Sequence, residues 1–316
     1  MPELGSVIIL AGGLSYEREV SLHSGEQVAE ALRSSGIDVQ VLDVDADLLS
    51  RLVADRPSAV FIALHGAAGE DGAIRDVLDL ARVPYVGSTP DACRLAFDKT
   101  CAKAVLRRAG IATPRDVALP HAVFRELGAN AVLARIVEHL GLPLIVKPAR
   151  GGSALGVSIV RDAAELPGAM VHCFSYGDVA LVEAFVAGAE VAITVLDGPA
   201  GPQALPAVEV VPVDGVFDYA ARYTAGATEY FTPARLSEDV ARRAADIAVQ
   251  AHSALGLRDL SRTDLIIDEA GAVHVLEVNV APGLTETSML PMAVTAAGLD
   301  LGGVCRDLLL TAAARR

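Results

Sequence analysis

The sequence predicts a protein of mixed class, with an N-terminal parallel α/β domain followed by an α+β part. Two observations support this prediction. Residues 6 to about 88 alternate buried strands with helices, which is the pattern of a parallel sheet covered by helices. From residue 142 onward, strands follow one another in pairs joined by short glycine-containing turns. The length of 316 residues favours two or more domains.

The first part is predicted to contain alternating elements: strands Val7–Leu10, Val39–Val44 and Ala59–Leu64, and helices Glu19–Ser34 and Ala46–Val53. In such a sheet, ligands bind at the carboxyl ends of the strands. Those ends carry the segments 11–19 and 65–72, which include Glu17 and Glu70. Each acid fits a helix N-terminus, where it would interact with the macrodipole, as well as it fits a ligand site. The pair Gly12-Gly13 is weak evidence for phosphate binding, because no GxGxxG follows it.

Composition excludes several classes of function. The net charge of −14 argues against nucleic acid as a partner, because binding to a phosphate backbone needs a basic surface. The sequence contains no run of about 18 apolar residues, which is the length needed to span a membrane. The apolar start of the chain is interpreted as a strand, not as a signal peptide. Four scattered cysteines show no CxxC spacing, which indicates neither a zinc site nor a disulfide framework. A reduced, cytoplasmic location is therefore expected.

Lysine is rare in this chain. There are three lysines, Lys99, Lys103 and Lys147, against 23 arginines. A chain that uses arginine almost everywhere and keeps lysine at a few positions is expected to need a compact ammonium group there. For Lys103 we prefer the alternative that it survives by chance on the surface of a helix.

The segment Arg262–Gly283 has the pattern of a β-hairpin whose turn contains Gly271. A turn centred at residues 270 and 271 puts Asp264 opposite Glu277, and Asn279 shares a face with Glu277. Like charges opposite each other destabilise a sheet unless something neutralises them. A divalent cation with oxygen ligands, above all Mg²⁺ with a nucleotide phosphate, would do so. The alternative is a solvated face on an edge hairpin.

A glycine-rich segment follows a predicted strand at Leu142–Pro148, which carries Lys147. Residues 150–156 lead from it into the strand Val157–Val160, and backbone N–H groups in such a turn can approach a phosphate closely. The segment is not a Walker loop, since GxxxxGK[ST] is absent. A plain hairpin turn is the alternative.

The remaining elements carry weaker signals. Residues 89 to about 140 are predicted to be mostly helical, with interruptions at 110–114 and at a Pro120 turn. Strands Val179–Val186 and Glu190–Leu196 bring two acids, Glu183 and Glu190, close to one turn.

A loop over residues 214–233 contains Arg222 and is interpreted as a lid, with a disordered surface loop as the alternative. Ser237 is predicted to cap a helix that runs to about Leu255. Two short helices are expected after the hairpin and a polar loop through Ser288.

Taken together, these segments resemble the D-alanine–D-alanine ligases of the ATP-grasp superfamily over nearly the whole chain. The segments that carry the resemblance are Gly12–Ser21, His65–Gly72, Asp98-Lys99, Val146–Pro148, Arg262–Asp264, Leu276–Asn279, Pro282–Thr285, Ser288 and Pro291–Ala293. The resemblance implies an N-terminal domain at 1–89 and a two-part ATP-grasp at 90–186 and 187–316, with the lid at 214–234. It also implies a cytoplasmic homodimer that acts on small molecules for peptidoglycan synthesis.

The family reaction joins two D-alanines through a D-alanyl phosphate, with ATP and two Mg²⁺ ions, for which Mn²⁺ is an alternative. By resemblance, the metal ligands are Asp264, Glu277 and Asn279. The nucleotide is expected to contact Lys99, Lys147, Glu183, Glu190 and Arg222. The catalytic and substrate-binding residues are expected to be Glu17, Ser153, Tyr223, Arg262, Gly283 and Ser288, with Arg262 and the Gly283 N–H at the developing oxyanion.

Three positions depart from the family pattern. Arg222 stands where lysine is usual, Ala154 replaces a serine of the glycine-rich turn, and Met289 replaces a smaller or branched apolar residue. Two alternatives remain open. One is a paralogous D-amino-acid ligase or cyclising enzyme of antibiotic biosynthesis or self-resistance. The other is a non-catalytic ATP-binding regulator, which the presence of Arg262 and both metal acids disfavours.

Overall fold

The computed structural model describes residues 4–213, 221–222, 224 and 226–315. The strands are β1 Val7–Leu10, β2 Val39–Leu42, β3 Ala59–Ile62, β4 Asp116–Pro120, β5 Leu144–Pro148, β6 Ser158–Val160, β7 Val179–Ala184, β8 Ala189–Gly198, β9 Gly201–Ala204, β10 Val208–Pro212, β11 Thr228–Phe231, β12 Leu260–Ile267 and β13 Val273–Asn279. The helices are α1 Arg18–Ser34, α2 Leu48–Asp55, α3 Ala67–Glu70, α4 Ala73–Ala81, α5 Pro90–Phe97, α6 Lys99–Arg108, α7 His121–Leu127, α8 Ala129–Leu140, α9 Leu166–Phe174, α10 Glu238–Ala254, α11 Met289–Ala296 and α12 Leu301–Ala313. A 3₁₀ turn at Ala163–Glu165 precedes α9.

The N-terminal sheet is parallel, in the order β2-β1-β3. All four residues of β1 are buried, which explains why the sequence of this strand is entirely apolar. The predicted strands and helices of this part are confirmed to within two residues at each end. The last helix, α12, returns to this sheet, where Leu309 packs with Val28 of α1 and Val7 of β1. The end of the chain therefore shares a core with its beginning.

The central sheet is antiparallel, in the order β4-β7-β5-β6. The predicted strands β5, β6 and β7 are confirmed, but β4 lies where we expected a turn between helices. The prediction was wrong here because Pro120 reads as a chain break. Proline is tolerated at the end of an edge strand, and β4 is an edge strand that pairs only with β7 among the described elements.

The C-terminal sheet is antiparallel, in the order β11-β10-β8-β12-β13, with β9 also paired to β8. Its predicted hairpin is confirmed. Asp264 lies opposite Glu277, and Gly271 has a φ of 77°. A β-bulge between Asp264 and Leu265 was not predicted. Strand β11 occupies part of the segment interpreted as the lid, which is therefore not a loop throughout.

Three helices cover one face of the C-terminal sheet. Residues of α5, α6 and α10 share its core, for example Ala96, Leu106 and Ala248 with Val191 and Val275. Ser237 is the N-cap residue of α10 as predicted, although its side chain makes no capping hydrogen bond. The boundaries near residues 89 and 186 stay predictions. No helix within the described ranges is long and apolar enough to cross a membrane.

Candidate active site

Two cavities meet near the middle of the molecule. The larger, of 490 Å³, lies between the central and C-terminal sheets, and the smaller extends toward the N-terminal domain. Five residues border both cavities, namely Lys99, Gly151, Gly152, Arg222 and Glu277. A volume of this size is typical of a site for a small molecule or cofactor.

The predicted metal acids lie at this junction. Asp264 accepts hydrogen bonds from Arg262, at 2.6 Å from Nε and 2.8 Å from Nη2. Glu277 lies 3.2 Å from the Lys99 ammonium. Burial alone would raise the pKa of Glu277, but Lys99, Lys147, Arg222 and Arg262 lower it to about 2. The carboxylate is therefore held in its charged form.

The oxygen donors suit a hard cation. Asp264 and Glu277 border the larger cavity, and Asn279 borders the smaller, with its Oδ1 accepting the Ala281 N–H at 2.7 Å. Two carboxylates and one amide oxygen on a single hairpin face are the ligand types that Mg²⁺ prefers. In the part of the chain that the structure describes, no group of three or more His, Cys, Asp and Glu side chains could hold a metal ion. The ligand roles remain predictions.

The predicted phosphate lysines are both buried. Lys99 opens α6 and donates to the carbonyl of Gly151 at 2.6 Å, which ties the helix to the glycine-rich turn. Lys147 is 2.7 Å from Glu183. Burial opposes its charge, yet Glu183 and Glu277 outweigh burial, so the pKa of Lys147 is raised. Both lysines line the larger cavity.

Lys103 is not a surface residue, and our expectation for it was wrong. Its side chain is 1% exposed, and its ammonium bonds directly to Glu183. The residue follows Lys99 by one helical turn, so both lysines leave the same face of α6, although Lys99 alone of the two borders the cavities. The rarity of lysine correctly indicated that these positions need an ammonium group. The burial of this face of the helix could not be predicted from the sequence.

The two predicted nucleotide acids have different surroundings. Glu183 is 2% exposed, and its two oxygens are engaged by Lys103 and Lys147. Glu190 lies in the wall of the larger cavity, where burial raises its pKa to about 7. Arg222 borders both cavities, and Tyr223 lies outside the described residues.

The smaller cavity collects the predicted substrate residues. Glu17 accepts a hydrogen bond from the Ser153 hydroxyl at 2.5 Å, and burial raises the pKa of Glu17. A side chain at Gly152 would come within 2.7 Å of the same Glu17 oxygen, which explains the glycine. At the other end, a side chain at Gly283 would meet the Ser288 Oγ at 2.6 Å.

His65 and Glu70 also border this cavity and were missing from the predicted set. His65 bridges the Ser24 hydroxyl, 2.8 Å from its Nε2, and the Ala281 carbonyl, 3.0 Å from its Nδ1. Burial raises the pKa of Glu70 to about 8, and the neighbouring Glu17 carboxylate adds to the shift. Their position after strand β3 was the available signal, because the ends of parallel strands carry ligand sites.

Comparison with known proteins identifies the family. A family model described as the D-ala D-ala ligase C-terminus matches residues 105–310. The D-alanine--D-alanine ligase of Anaeromyxobacter sp. (strain K) is 42% identical over 96% of this chain and 95% of its own. The chain belongs to the D-alanine–D-alanine ligase family.

Solved structures of D-alanine ligases share the whole fold. The VanG D-Ala:D-Ser ligase from Enterococcus faecalis superimposes with a TM-score of 0.83 at 26% identity, covering 98% of this chain and 100% of that one. A Bacillus anthracis D-alanine--D-alanine ligase solved in complex with ATP gives 0.79 at 26% identity, with 98% and 97% covered. The predicted fold class, a parallel α/β domain followed by a two-part ATP-grasp, is confirmed.

In this member of the ligase family, the described site residues converge on the two connected cavities. Ser288 is the N-cap residue of α11, and its Oγ accepts the Thr285 N–H at 3.1 Å. Met289 follows it, buried in the wall of the smaller cavity with Ala293 and Val210. The departures at Arg222, Ala154 and Met289 all border one or both cavities.

Proposed function

We propose that this protein joins two molecules of D-alanine to D-alanyl-D-alanine and converts ATP to ADP and phosphate, in the service of peptidoglycan synthesis. One observation carries the proposal. A cavity of 490 Å³ and a smaller polar cavity meet at Lys99, Arg222 and Glu277, so a nucleotide in one would direct its terminal phosphate at an amino acid in the other. The relatives and the family model support the choice of D-alanine.

In the first step, a carboxylate oxygen of the first D-alanine attacks the γ-phosphorus, and the bond from that phosphorus to the ADP oxygen breaks. Lys99 and Lys147 neutralise charge on the phosphates, because both lysines border the larger cavity. Glu17, which Ser153 holds in place, receives the ammonium group of the first D-alanine. Arg222 is expected to close over the phosphates from the lid.

In the second step, the amine of the other D-alanine, having lost a proton, attacks the acyl carbon and phosphate leaves. Arg262 and the Gly283 N–H would hold the oxyanion that develops on that carbon. Ser288 would bind the carboxylate of the second D-alanine. Tyr223 is proposed as a hydrogen-bond partner at the first substrate.

Asp264, Glu277 and Asn279 would hold two Mg²⁺ ions that accompany ATP, with Mn²⁺ as a substitute. When bound, such ions withdraw charge from the phosphates during transfer. The donor chemistry supports this, since all three side chains offer oxygen and lie on one hairpin face. Glu183 and Glu190 are proposed to flank the adenine and ribose.

We further infer a homodimer in the cytoplasm. Exposed apolar side chains on α2 and α4, Leu49, Val53 and Leu80, support a contact between copies. The four free cysteines support a reducing compartment. Light scattering should give twice the chain mass of 32.7 kDa, and a mass of one chain would contradict the dimer.

The test is ATP-dependent phosphate release with Mg²⁺ and single amino acids, with the product identified by mass. D-alanine should give phosphate and a dipeptide, and L-alanine should give neither. A D-serine arm, alone and mixed with D-alanine, is included because a structural relative is a D-Ala:D-Ser ligase. Release only with another D-amino acid would move the protein to the biosynthetic or resistance paralogues, and ATP binding without turnover would contradict the ligase function.

A further inference from the structure

A buried network of charges lies behind the phosphate lysine of the larger cavity. Lys103, Glu183 and Asp116 have side-chain exposures of 1%, 2% and 6%. Glu183 bonds to both Lys103 and Lys147, the latter at 2.7 Å. Lys147 and Glu183 both border the cavity that is proposed to hold the nucleotide, whereas Lys103 does not.

The strand register explains why two carboxylates come together here. Asp116 on β4 lies directly opposite Glu183 on β7. Lys147 on β5 pairs with Leu181, which places it diagonally from Glu183 on the same face of the sheet. Two acids opposite each other need cations to neutralise them. Arg107 bonds to Asp116, and Lys103 bonds to Glu183 and lies 3.8 Å from Asp116.

Counting charges shows what Lys103 contributes. Arg107 and Asp116 balance each other, which leaves two lysines and one carboxylate with a net charge of +1. Without Lys103, Glu183 would neutralise Lys147, and an anionic phosphate would meet a neutral pair. In a buried environment this difference in net charge has a large effect on the interaction with a phosphate, because little water screens it.

We propose that Lys103 is a positioning residue, which occupies Glu183 so that the Lys147 ammonium keeps its charge and its direction for the nucleotide phosphates. Lys103 itself does not border either cavity. Its effect on the substrate would pass through Glu183 and Lys147. This inference rests on the proposed use of a nucleotide in the larger cavity, and it extends that proposal to a residue behind the site.

The test measures the affinity for ADP by calorimetry and the KM values for ATP and D-alanine in purified full-length variants. Lys103→Met should weaken ADP binding and raise the KM for ATP roughly tenfold to hundredfold, the range expected for one charge-assisted hydrogen bond. The KM for D-alanine should change less than about twofold, since the amino acid does not depend on this charge. Arg108→Met is the matched control, because Arg108 is an exposed cation on the same helix with no ion-pair partner among the residues described.

A charge-balanced variant separates positioning from stability. Lys103→Met/Glu183→Gln restores a net charge of +1, and the new amide still offers an oxygen to Lys147. Because Glu183 is itself proposed to contact the nucleotide, Glu183→Gln is the reference for this variant. Adding Lys103→Met to Glu183→Gln should change the ADP affinity by less than about threefold, against tenfold or more when it is made in the wild type. The double variant leaves neither member of the Lys103–Glu183 pair without the other, and the new amide oxygen remains for Lys147, so it should fold even if Lys103→Met does not.

The outcomes are distinct. An equal loss of ADP affinity from Lys103→Met in the wild-type and Glu183→Gln backgrounds, or unchanged ADP affinity with a lower melting temperature, would overturn the proposal. ADP binding needs no amino acid, so the result stands apart from the identity of the substrate. If the wild type bound ADP but failed to use D-alanine, the proposed reaction would fail while the positioning role would remain tested.

Discussion

Within the described residues, two pairs of acids face each other across strands, and they are neutralised differently. Asp264 and Glu277 in the C-terminal sheet have Arg262 and Lys99 beside them, and the Glu277 side chain is still 24% exposed. Asp116 and Glu183 in the central sheet are 6% and 2% exposed and contact Arg107, Lys103 and Lys147. The first pair keeps a partly exposed carboxylate, whereas the second pair is almost fully covered by its cations.

This difference separates two uses of the same arrangement. A carboxylate pair that stays open to a cavity can take a cation from solution, so its charge serves ligand binding. A pair that is already neutralised by side chains holds those side chains in place. We therefore expect the open pair to control turnover and the enclosed pair to control stability and the direction of Lys147.

A third pair shows yet another solution. Glu17 and Glu70 approach each other in the smaller cavity, where a side chain at Gly152 would be 2.7 Å from one and 3.6 Å from the other. Burial and Glu17 raise the pKa of Glu70 to about 8. In this pair a bound proton neutralises one of the two acids, whereas in the other two pairs cationic side chains neutralise the carboxylates.

The largest effect is expected in the open pair. Asp264→Asn and Glu277→Gln should each lower kcat by about a thousandfold or more, because each removes a charged ligand from a site of phosphoryl transfer. Phosphate release at saturating ATP, D-alanine and Mg²⁺ measures the loss, and circular dichroism checks the fold. Glu269→Gln, at the exposed tip of the same hairpin, should retain activity. Activity within tenfold of the wild type in either site variant would refute the metal assignment.

The open pair could be predicted from the sequence, and the enclosed pair could not. Asp264 and Glu277 lie in one hairpin whose turn is marked by Gly271, so the register follows from local spacing. Asp116 and Glu183 come from strands 67 residues apart in sequence, and pairing of that kind depends on the tertiary fold. Strand β4 was missed because Pro120 reads as a break.

Burial was the second quantity that the sequence did not provide. From the sequence, Lys103 is one more charge on an amphipathic helix, and only its ion pair with Glu183 of the central sheet reveals that its ammonium is enclosed. Glu70 likewise fits a helix terminus until its surroundings are known. The ligand chemistry of the hairpin could be inferred from the sequence, whereas the burial of Lys103 and Glu70 could not.

The proton in the third pair should make stability depend on pH. The pKa of Glu70 is about 8 in the folded protein against an ordinary value of 4.5, so the folded state binds the extra proton between these values. Stability from this group is greatest below pH 4.5 and is lost as the pH rises through 8. Relative to Glu70→Gln, which keeps the shape without the charge, the wild type should lose about 2 to 3 kcal/mol of unfolding free energy between roughly pH 5.5 and 8.5.

Urea unfolding at both pH values measures this difference. Glu126→Gln serves as the control, because Glu126 is an exposed acid on α7 and its replacement should leave the pH dependence of the wild type unchanged. If the wild type and Glu70→Gln ran parallel from pH 5.5 to 8.5, Glu70 would not be the proton-bearing member of its pair.

The smallest effect is expected at the far end of the enclosed pair. Asp116→Asn should lower the free energy of unfolding by about 1 to 2 kcal/mol, because Lys103 keeps Glu183 while Arg107, whose side chain is 44% exposed, can turn to water. Urea unfolding measures the loss, and Glu138→Gln, which breaks the exposed pair with Arg135, should cause no measurable change. The KM for ATP should stay within about twofold, since the charge balance around Lys147 passes through Glu183. A tenfold rise in that KM with unchanged stability would mean that Asp116 takes part in holding Lys147, and the division between an open pair for turnover and an enclosed pair for support would have to be redrawn.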